Sequence, residues 1–308
     1  MSASPLSSKM KGQSVIGLVA GDPSGVGPEL LKEALLHAPD GLCLEVIGDP
    51  LPRNPGHPDL ISAKQAIASL EEAARRCMAG ELAAVVTGPV NKKQLHEAGF
   101  RYPGQTEFFA ARAGVENFAM LLTGGPLTVA LVTAHVPLRE VATLLKTEEI
   151  VRVGSLLATF LHGRGIASPR IAVAGLNPHA GEQGDLGDEE VRLIEPALPL
   201  LAAACPSAVF AGPFSPDTVF WRAANGEFDA ILCMYHDQGL IPLKLLGFHD
   251  GVNVTLGLPF VRTSPDHGTA YEIAGTGAAR PDSFLSAVRL AAELIKKENK
   301  GYFNMELH

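Results

Sequence analysis

The chain has 308 residues, 46% hydrophobic and 19% charged, a balance that supplies ample core material and excludes a disordered or fibrous protein. Its formal net charge is -8 and no cluster of Lys or Arg stands out, which argues against a nucleic-acid surface as its main business. Cys43, Cys77, Cys205 and Cys233 are far apart without a Cys-x-x-Cys pair, the usage expected of buried thiols in a cytoplasmic protein rather than of a disulfide framework or a zinc ribbon.

Residues 1–13, MSASPLSSKMKGQ, are Ser-rich, lack the apolar core of a secretory signal and are expected to form a flexible tail. Short apolar runs then alternate with helical patterns: strands at 15–20, 42–47 and 82–87, helices at 29–37, 62–79 and 93–98. That alternation predicts βαβ units and a mostly parallel sheet. Further strands are expected at 127–133, 171–174, 208–211 and 230–235, with helices at 147–161, 188–201, 217–224 and 283–296. Asp188 and Asp217 are the expected N-caps of two of these helices. The most apolar long stretch, 196–212, is broken by Pro199, Pro206 and Ser207 and falls short of a membrane span. The length favours two domains, placed at 14–102 with 279–308 and at 103–278.

Three histidines occupy one kind of place. His135 follows LTVALVTA, His179 follows IAVAGLNP and His236 follows AILCMY, each just past an apolar strand. If those strands are parallel neighbours, the imidazoles project from one sheet edge, where α/β folds bind ligands. Three nitrogen ligands with an open position suit a catalytic divalent metal, zinc most naturally, with cobalt, manganese or magnesium as substitutes. Taken singly, each reads more readily as a hydrogen-bonded loop histidine; three at equivalent positions shift the balance toward metal. Lys244, Asn253 and Arg262 follow soon after and offer anion-binding side chains, Arg262 with the planar fork that suits carboxylate or phosphate.

The N-terminal GDPSGVGPELLKEAL looks like a phosphate loop but lacks both the Lys-Ser/Thr of a P-loop and a GxGxxG register. Lining a ligand cleft and tight strand-to-helix packing are both open readings. The segment DHGTAYEIAGTGAARP, 266–281, resembles the cofactor loop of the β-decarboxylating dehydrogenases of the isocitrate and isopropylmalate type. The resemblance implies that NAD lies along His267, Gly268, Thr269, Ala270, Glu272, Gly275 and Ala279. Glycines let the backbone approach adenosine. A carboxylate at Glu272 accepts from both ribose hydroxyls and repels a 2′-phosphate, so NAD is expected over NADP.

Taken in order, GDPSGVGPE, TGPVNK, GQTEFFA, AHVPL, GLNPHAGEQGDLGDEE, YHDQGLIPLK and GVNVTLGLPFVRTSPDHGTA are similar to the signature segments of the 4-hydroxythreonine-4-phosphate dehydrogenase family of vitamin B6 biosynthesis. The resemblance covers almost the whole chain. It implies an α/β protein of two α/β/α domains with a cleft between them, like isocitrate and isopropylmalate dehydrogenases, in a homodimer whose subunits complete each other's sites. It further implies that His135, His179 and His236 are the metal ligands, the last supplied across the dimer interface, and that Gln105, Thr106, Lys244, Asn253 and Arg262 bind substrate. Where the family reads Gly-His-Thr-Glu, this chain has Gly104-Gln105-Thr106-Glu107, and the segment GDPLPRNPGHPDLIS is shorter than usual. Both departures leave open 4-phosphooxy-L-threonine, a related phosphorylated erythronate or threonate, or a carboxylated dihydrodiol.

The chemistry expected of such a site is NAD-linked oxidation of a secondary hydroxyl whose alkoxide a divalent metal stabilises, giving a β-keto acid that loses carbon dioxide. Asp237, Asp266 and Lys92 are the candidate general bases. The rivals are a metal-dependent phosphoester hydrolase using the same histidines and a non-catalytic sugar-phosphate-binding regulator. No nucleic-acid or membrane partner is expected.

Overall fold

The structure, a computed structural model, describes residues 14–37 and 41–298; the expected tail at 1–13 and residues 299–308 lie outside that range. In chain order the strands are β1 Val15–Val19, β2 Cys43–Val46, β3 Ala84–Thr87, β4 Ala119–Gly124, β5 Leu127–Leu131, β6 Arg170–Ala174, β7 Val209–Phe214, β8 Ala230–Cys233, β9 Val252–Leu256 and β10 Val261–Pro265. The helices are α1 Gly27–His37, α2 Leu60–Met78, α3 Lys92–Glu97, α4 Gln105–Ala113, α5 Leu138–Leu144, α6 Thr147–Gly163, α7 Glu195–Ala204, α8 Pro216–Ala224, α9 His236–Gly247 and α10 Asp282–Glu298.

All ten strands form one sheet in the order β2-β1-β3-β10-β9-β4-β5-β8-β6-β7. The pairings are parallel except at the centre, where β9 runs antiparallel to β10 and β4, and β4 antiparallel to β5. The parallel flanks are those expected; β4, β9 and β10 are not. β9 and β10 carry Asn253, Arg262 and Pro265 among their apolar residues, so their sequences lack the unbroken apolar run of the buried parallel strands.

Side-chain alternation across the pleat gives each face its own helical layer. Ala130 of β5 and Leu232 of β8 point into a core closed by α1, α6, α7 and α10. On the opposite face, Val129, Leu131, Ile231 and Cys233 pack under α8 and α9. Val19 and Val85 pack there under α2, α3 and α4, whose Phe108 and Phe109 are fully buried. The architecture is α/β/α, as expected.

Helix starts follow local chemistry. Asp59 Oδ1 accepts from Ser62 N at 2.7 Å while Ser62 Oγ accepts from Asp59 N at 3.1 Å, a reciprocal cap that begins α2. Asn91 Oδ1 accepts from Gln94 N at 3.2 Å and begins α3. Two expected caps are corrected. Ser215 precedes α8, and Asp217 sits inside its first turn behind Pro216. The helix expected from Asp188 instead opens with a π-helical turn, Glu190–Ile194, preceded by Glu189. The physical reason is Glu190, whose carboxylate turns inward to serve a neighbouring loop.

Candidate active site

A cavity of about 320 Å³ opens where the antiparallel centre meets the parallel strands. β3 and the turn after it supply Thr87 to Val90, α3 supplies Lys92, the start of α4 supplies Gln105, Thr106 and Glu107, and β4 supplies Met120. His135, Lys244 of α9, Asn253 of β9, Arg262 of β10 and the segment from Asp266 to Gly268 complete the wall. Most candidate substrate and base residues thus converge, although they are scattered over more than half of the sequence. Asp237, His179, Glu272, Gly275 and Ala279 do not line the cavity.

Arg262 dominates its electrostatics. The side chain is only 3% exposed, and its partners are neutral: Thr87 Oγ1 and Gln105 Oε1 accept from Nη2 at 2.8 and 3.1 Å, and Thr255 Oγ1 accepts from Nη1 at 3.3 Å. The guanidinium stands 5.8 Å from the centre of the Phe109 ring. Burial lowers its pKa to about 10, partly opposed by the charge of Glu107. Among the described residues Arg262 Nε, Asn253 Oδ1 and Glu107 Oε2 are buried without a hydrogen-bond partner. Orphaned polar atoms are costly in a finished core and are expected where a ligand completes the bonding. Lys244 Nζ and Asp266 Oδ2 pair at 3.0 Å on the same wall.

The three histidines leave parallel neighbours, because β8 lies between β5 and β6. His135 and His236 come together, their ring centres 5.7 Å apart. Burial, then the charge of Lys92, lower the pKa of His135, with Glu107 opposing and His236 adding to the shift. His236 Nδ1 lies 2.7 Å from Asp237 Oδ1, which accounts for Asp237 standing apart from the cavity. His179 lies 4.0 Å from Asp217 Oδ2. Among the described residues of one chain, no three His, Cys, Asp or Glu side chains converge as a metal site. The donors suit a divalent cation in kind, being imidazoles of which one is held toward its neutral form. In number they are incomplete within a single chain.

A hydrogen-bonded frame lies beneath these histidines. Thr133 Oγ1 donates to the Met234 carbonyl at 2.7 Å, and Gln238 Oε1 accepts from Met234 N at 2.7 Å. Gln238 Nε2 donates to the Gly175 carbonyl at 2.6 Å. Glu190, 2% exposed, accepts from the backbone N–H of Leu176 and Asn177, each at 2.7 Å. Its position stabilises a run of left-handed residues in which His179, Ala180, Glu182 and Gln183 all have positive φ. Such backbone costs about 1 to 2 kcal/mol per residue and needs external support. Sequence reading singled out neither Gln238 nor Glu190; the density of acidic residues in 182–190 is the one signal for Glu190, and no local pattern marks Gln238.

The expected cofactor loop leaves the cavity at His267 and Gly268 and runs over the surface. At Gly268 an added Cβ would meet nothing within 4 Å, so the backbone is open to an approaching group. The loop is pinned by GDPSGVGPE: Val26 N donates to the Thr269 carbonyl at 3.0 Å, Tyr271 Oη to Asp22 Oδ2 at 2.6 Å, and Gly277 N to Glu29 Oε2 at 3.0 Å. At Gly25 a Cβ would fall 2.8 Å from the Thr269 carbonyl oxygen, which requires glycine. The motif thus packs tightly against the loop. Glu272 is exposed there. Asp22, Glu29 and Tyr271 were not among the expected site residues.

Comparison with known proteins agrees. The family model described as pyridoxal phosphate biosynthetic protein PdxA matches residues 31–291. A Bradyrhizobium diazoefficiens protein named 4-hydroxythreonine-4-phosphate dehydrogenase is 48% identical over 267 residues, covering 85% of this chain and 77% of its own. A Pectobacterium atrosepticum protein named D-threonate 4-phosphate dehydrogenase is 37% identical, covering 91% of this chain and 99% of its own. The crystal structure of 4-hydroxythreonine-4-phosphate dehydrogenase from Klebsiella pneumoniae superposes with a TM-score of 0.77 at 36% identity, over 92% of this chain and all of that one, 100%.

Proposed function

The chain belongs to the PdxA family of pyridoxal phosphate biosynthetic proteins, a dehydrogenase family, and on that premise we propose that it oxidises 4-phosphooxy-L-threonine with NAD. The product, 2-amino-3-oxo-4-phosphooxybutanoate, loses carbon dioxide to give 3-amino-2-oxopropyl phosphate. The observation that carries this reading is Arg262, a buried cation with neutral partners and an unpartnered Nε on the wall of the cavity. A desolvated guanidinium held in that way is poised for an anionic group.

The chain's own residues divide the work. Arg262, Lys244, Asn253 and Thr106 orient phosphate and carboxylate at the two ends of the substrate. Asp266, paired with Lys244 and lining the cavity, takes the proton of the secondary hydroxyl as hydride leaves the same carbon. Lys92 supplies positive charge beside His135 and favours the unprotonated imidazole. His135, His179 and His236 would hold a divalent cation, zinc, cobalt or magnesium, with the set completed by a second copy of the chain. At that place a cation would supply Lewis-acid polarisation of the hydroxyl, and a dinucleotide would supply the hydride acceptor. His267, Gly268 and the loop to Ala279 would carry the dinucleotide, with Glu272 at its ribose hydroxyls.

A homodimer is part of the proposal. α9 begins at His236 and carries Lys244 toward the cavity, while Ile241, Leu245 and Phe248 on it and just beyond are 67%, 82% and 69% exposed. An apolar face of that extent favours association, and α9 links it to the site. Among the described residues no helix is long and apolar enough to cross a membrane.

The test is NAD reduction over a panel containing 4-phosphooxy-L-threonine, D-threonate 4-phosphate and a carboxylated dihydrodiol, with and without a chelator. Chelator-sensitive NADH formation on the first compound is expected. Phosphoester hydrolysis without NADH would select a hydrolase instead, and binding without turnover a regulator.

A further inference from the structure

Gln105 opens α4, and both ends of its amide are engaged. Nε2 donates to the Gly88 carbonyl at 3.0 Å, and Oε1 accepts from Arg262 Nη2 at 3.1 Å. The partners fix the orientation of the amide, since a carbonyl only accepts and a guanidinium only donates. Nη2 of Arg262 is thereby used by Thr87 and Gln105 together, while Nε is left without a partner.

We propose that Gln105 is a positioning residue that determines how this chain binds its anion: it acts through Arg262, holding the guanidinium with a neutral acceptor, an assignment that rests on the phosphate-binding reading above. A carboxylate in that place would hold the guanidinium equally well but neutralise the charge the ligand needs. An apolar side chain would leave the charge intact but held by Thr87 and Thr255 alone. An imidazole could accept from Arg262 only when unprotonated, and as a cation would repel it. The amide therefore keeps the strength of anion binding independent of protonation at position 105.

Direct contact between residue 105 and the ligand makes the opposite prediction for an imidazole, because imidazolium would then strengthen binding as the pH falls. The sign of the pH effect separates the two. Lys92, Glu107, His135, Lys244, Asp266 and His267 share the cavity and titrate or carry charge there. Each variant is therefore compared with wild type at the same pH, which cancels their titration and that of phosphate itself.

The experiment is calorimetric binding of inorganic phosphate and of 4-phosphooxy-L-threonine to the full chain at about pH 6 and pH 8, spanning imidazole titration. Folding is checked by thermal unfolding. Gln105→Leu is expected to bind about tenfold more weakly at both values, the scale of a hydrogen bond to a charged group. Gln105→His should approach wild type at pH 8 and fall about tenfold below it at pH 6. Gln105→Glu should be the weakest, although it preserves the acceptor. Unchanged binding in Gln105→Leu, or a Gln105→His variant that gains on wild type at pH 6, overturns the assignment. If affinity falls in Arg262→Lys but not in Gln105→Leu, the phosphate reading stands and the role of Gln105 fails. If wild type binds neither ligand, both fail.

Discussion

Gln238 donates to the carbonyl of Gly175 at 2.6 Å, joining the loop that carries His236 to the loop that carries His179. The same side chain accepts from Met234 N, and Met234 in turn accepts from Thr133 on the His135 segment. All three histidine-bearing loops are tied through one buried amide. Gln238→Leu removes both bonds without adding charge. Its affinity for cobalt or zinc, measured by chelator competition, should fall about 10- to 100-fold, as for other supports of metal ligands. Unchanged affinity in a folded variant would show that the frame does not position the ligands.

Lys92→Met should raise the pKa of His135. Burial and then the positive charge of Lys92 hold that value below the usual imidazole range, so removing the charge favours the proton. The unprotonated form that can ligate a cation would then be lost at higher pH. For stability the sign is the same. The contribution of neutral His135 is fully present above the ordinary imidazole pKa and is lost as the pH falls through its lowered folded value. NMR titration of the His135 ring reads the shift directly, and a fall or no change would contradict it.

Glu272→Lys should move coenzyme preference from NAD toward NADP. The side chain is exposed on a loop anchored by Asp22 and Glu29, so the exchange alters charge without disturbing a core. An expected shift of about tenfold or more in the ratio of kcat/KM values corresponds to one lost and one gained charged hydrogen bond. A wild type already more efficient with NADP would remove Glu272 from the ribose.

Arg262→Met should abolish stabilisation by phosphate. The depressed pKa of about 10 means that the fold disfavours the charged form, so the buried cation costs stability until an anion joins it. Wild type should gain several degrees in Tm at saturating phosphate, about the effect of 2 to 3 kcal/mol of linkage. The variant should gain none. Its unliganded Tm should fall by less than that gain, since Thr87, Thr255 and Gln105 lose a partner while the desolvated charge disappears. A phosphate response retained in the variant would place the anion elsewhere.

The parallel flanks were legible because buried strands such as AILC and VIGLV carry no polar side chain. β9 and β10 were not, because VNVTL and VRTSP place Asn253 and Arg262 in the very strands that build the cavity. Polar side chains that line a cavity erase the pattern by which a strand is read. The edge placement of His135, His179 and His236 followed from strand ends alone. The left-handed turn at His179 did not, since it depends on Glu190, whose inward orientation also displaced the expected helix start at Asp188. The partnership of Gln105 with Arg262 joins residues 157 positions apart and no local pattern announces it.

The most direct test of the central claim is the stoichiometry of NADH formed and carbon dioxide released when the purified, metal-supplied protein is given 4-phosphooxy-L-threonine and NAD. Oxidation to the β-keto acid followed by its decarboxylation predicts NADH in step with consumed substrate and an equal amount of carbon dioxide, with both lost in Arg262→Met. Substrate consumed with release of inorganic phosphate and no NADH would contradict it.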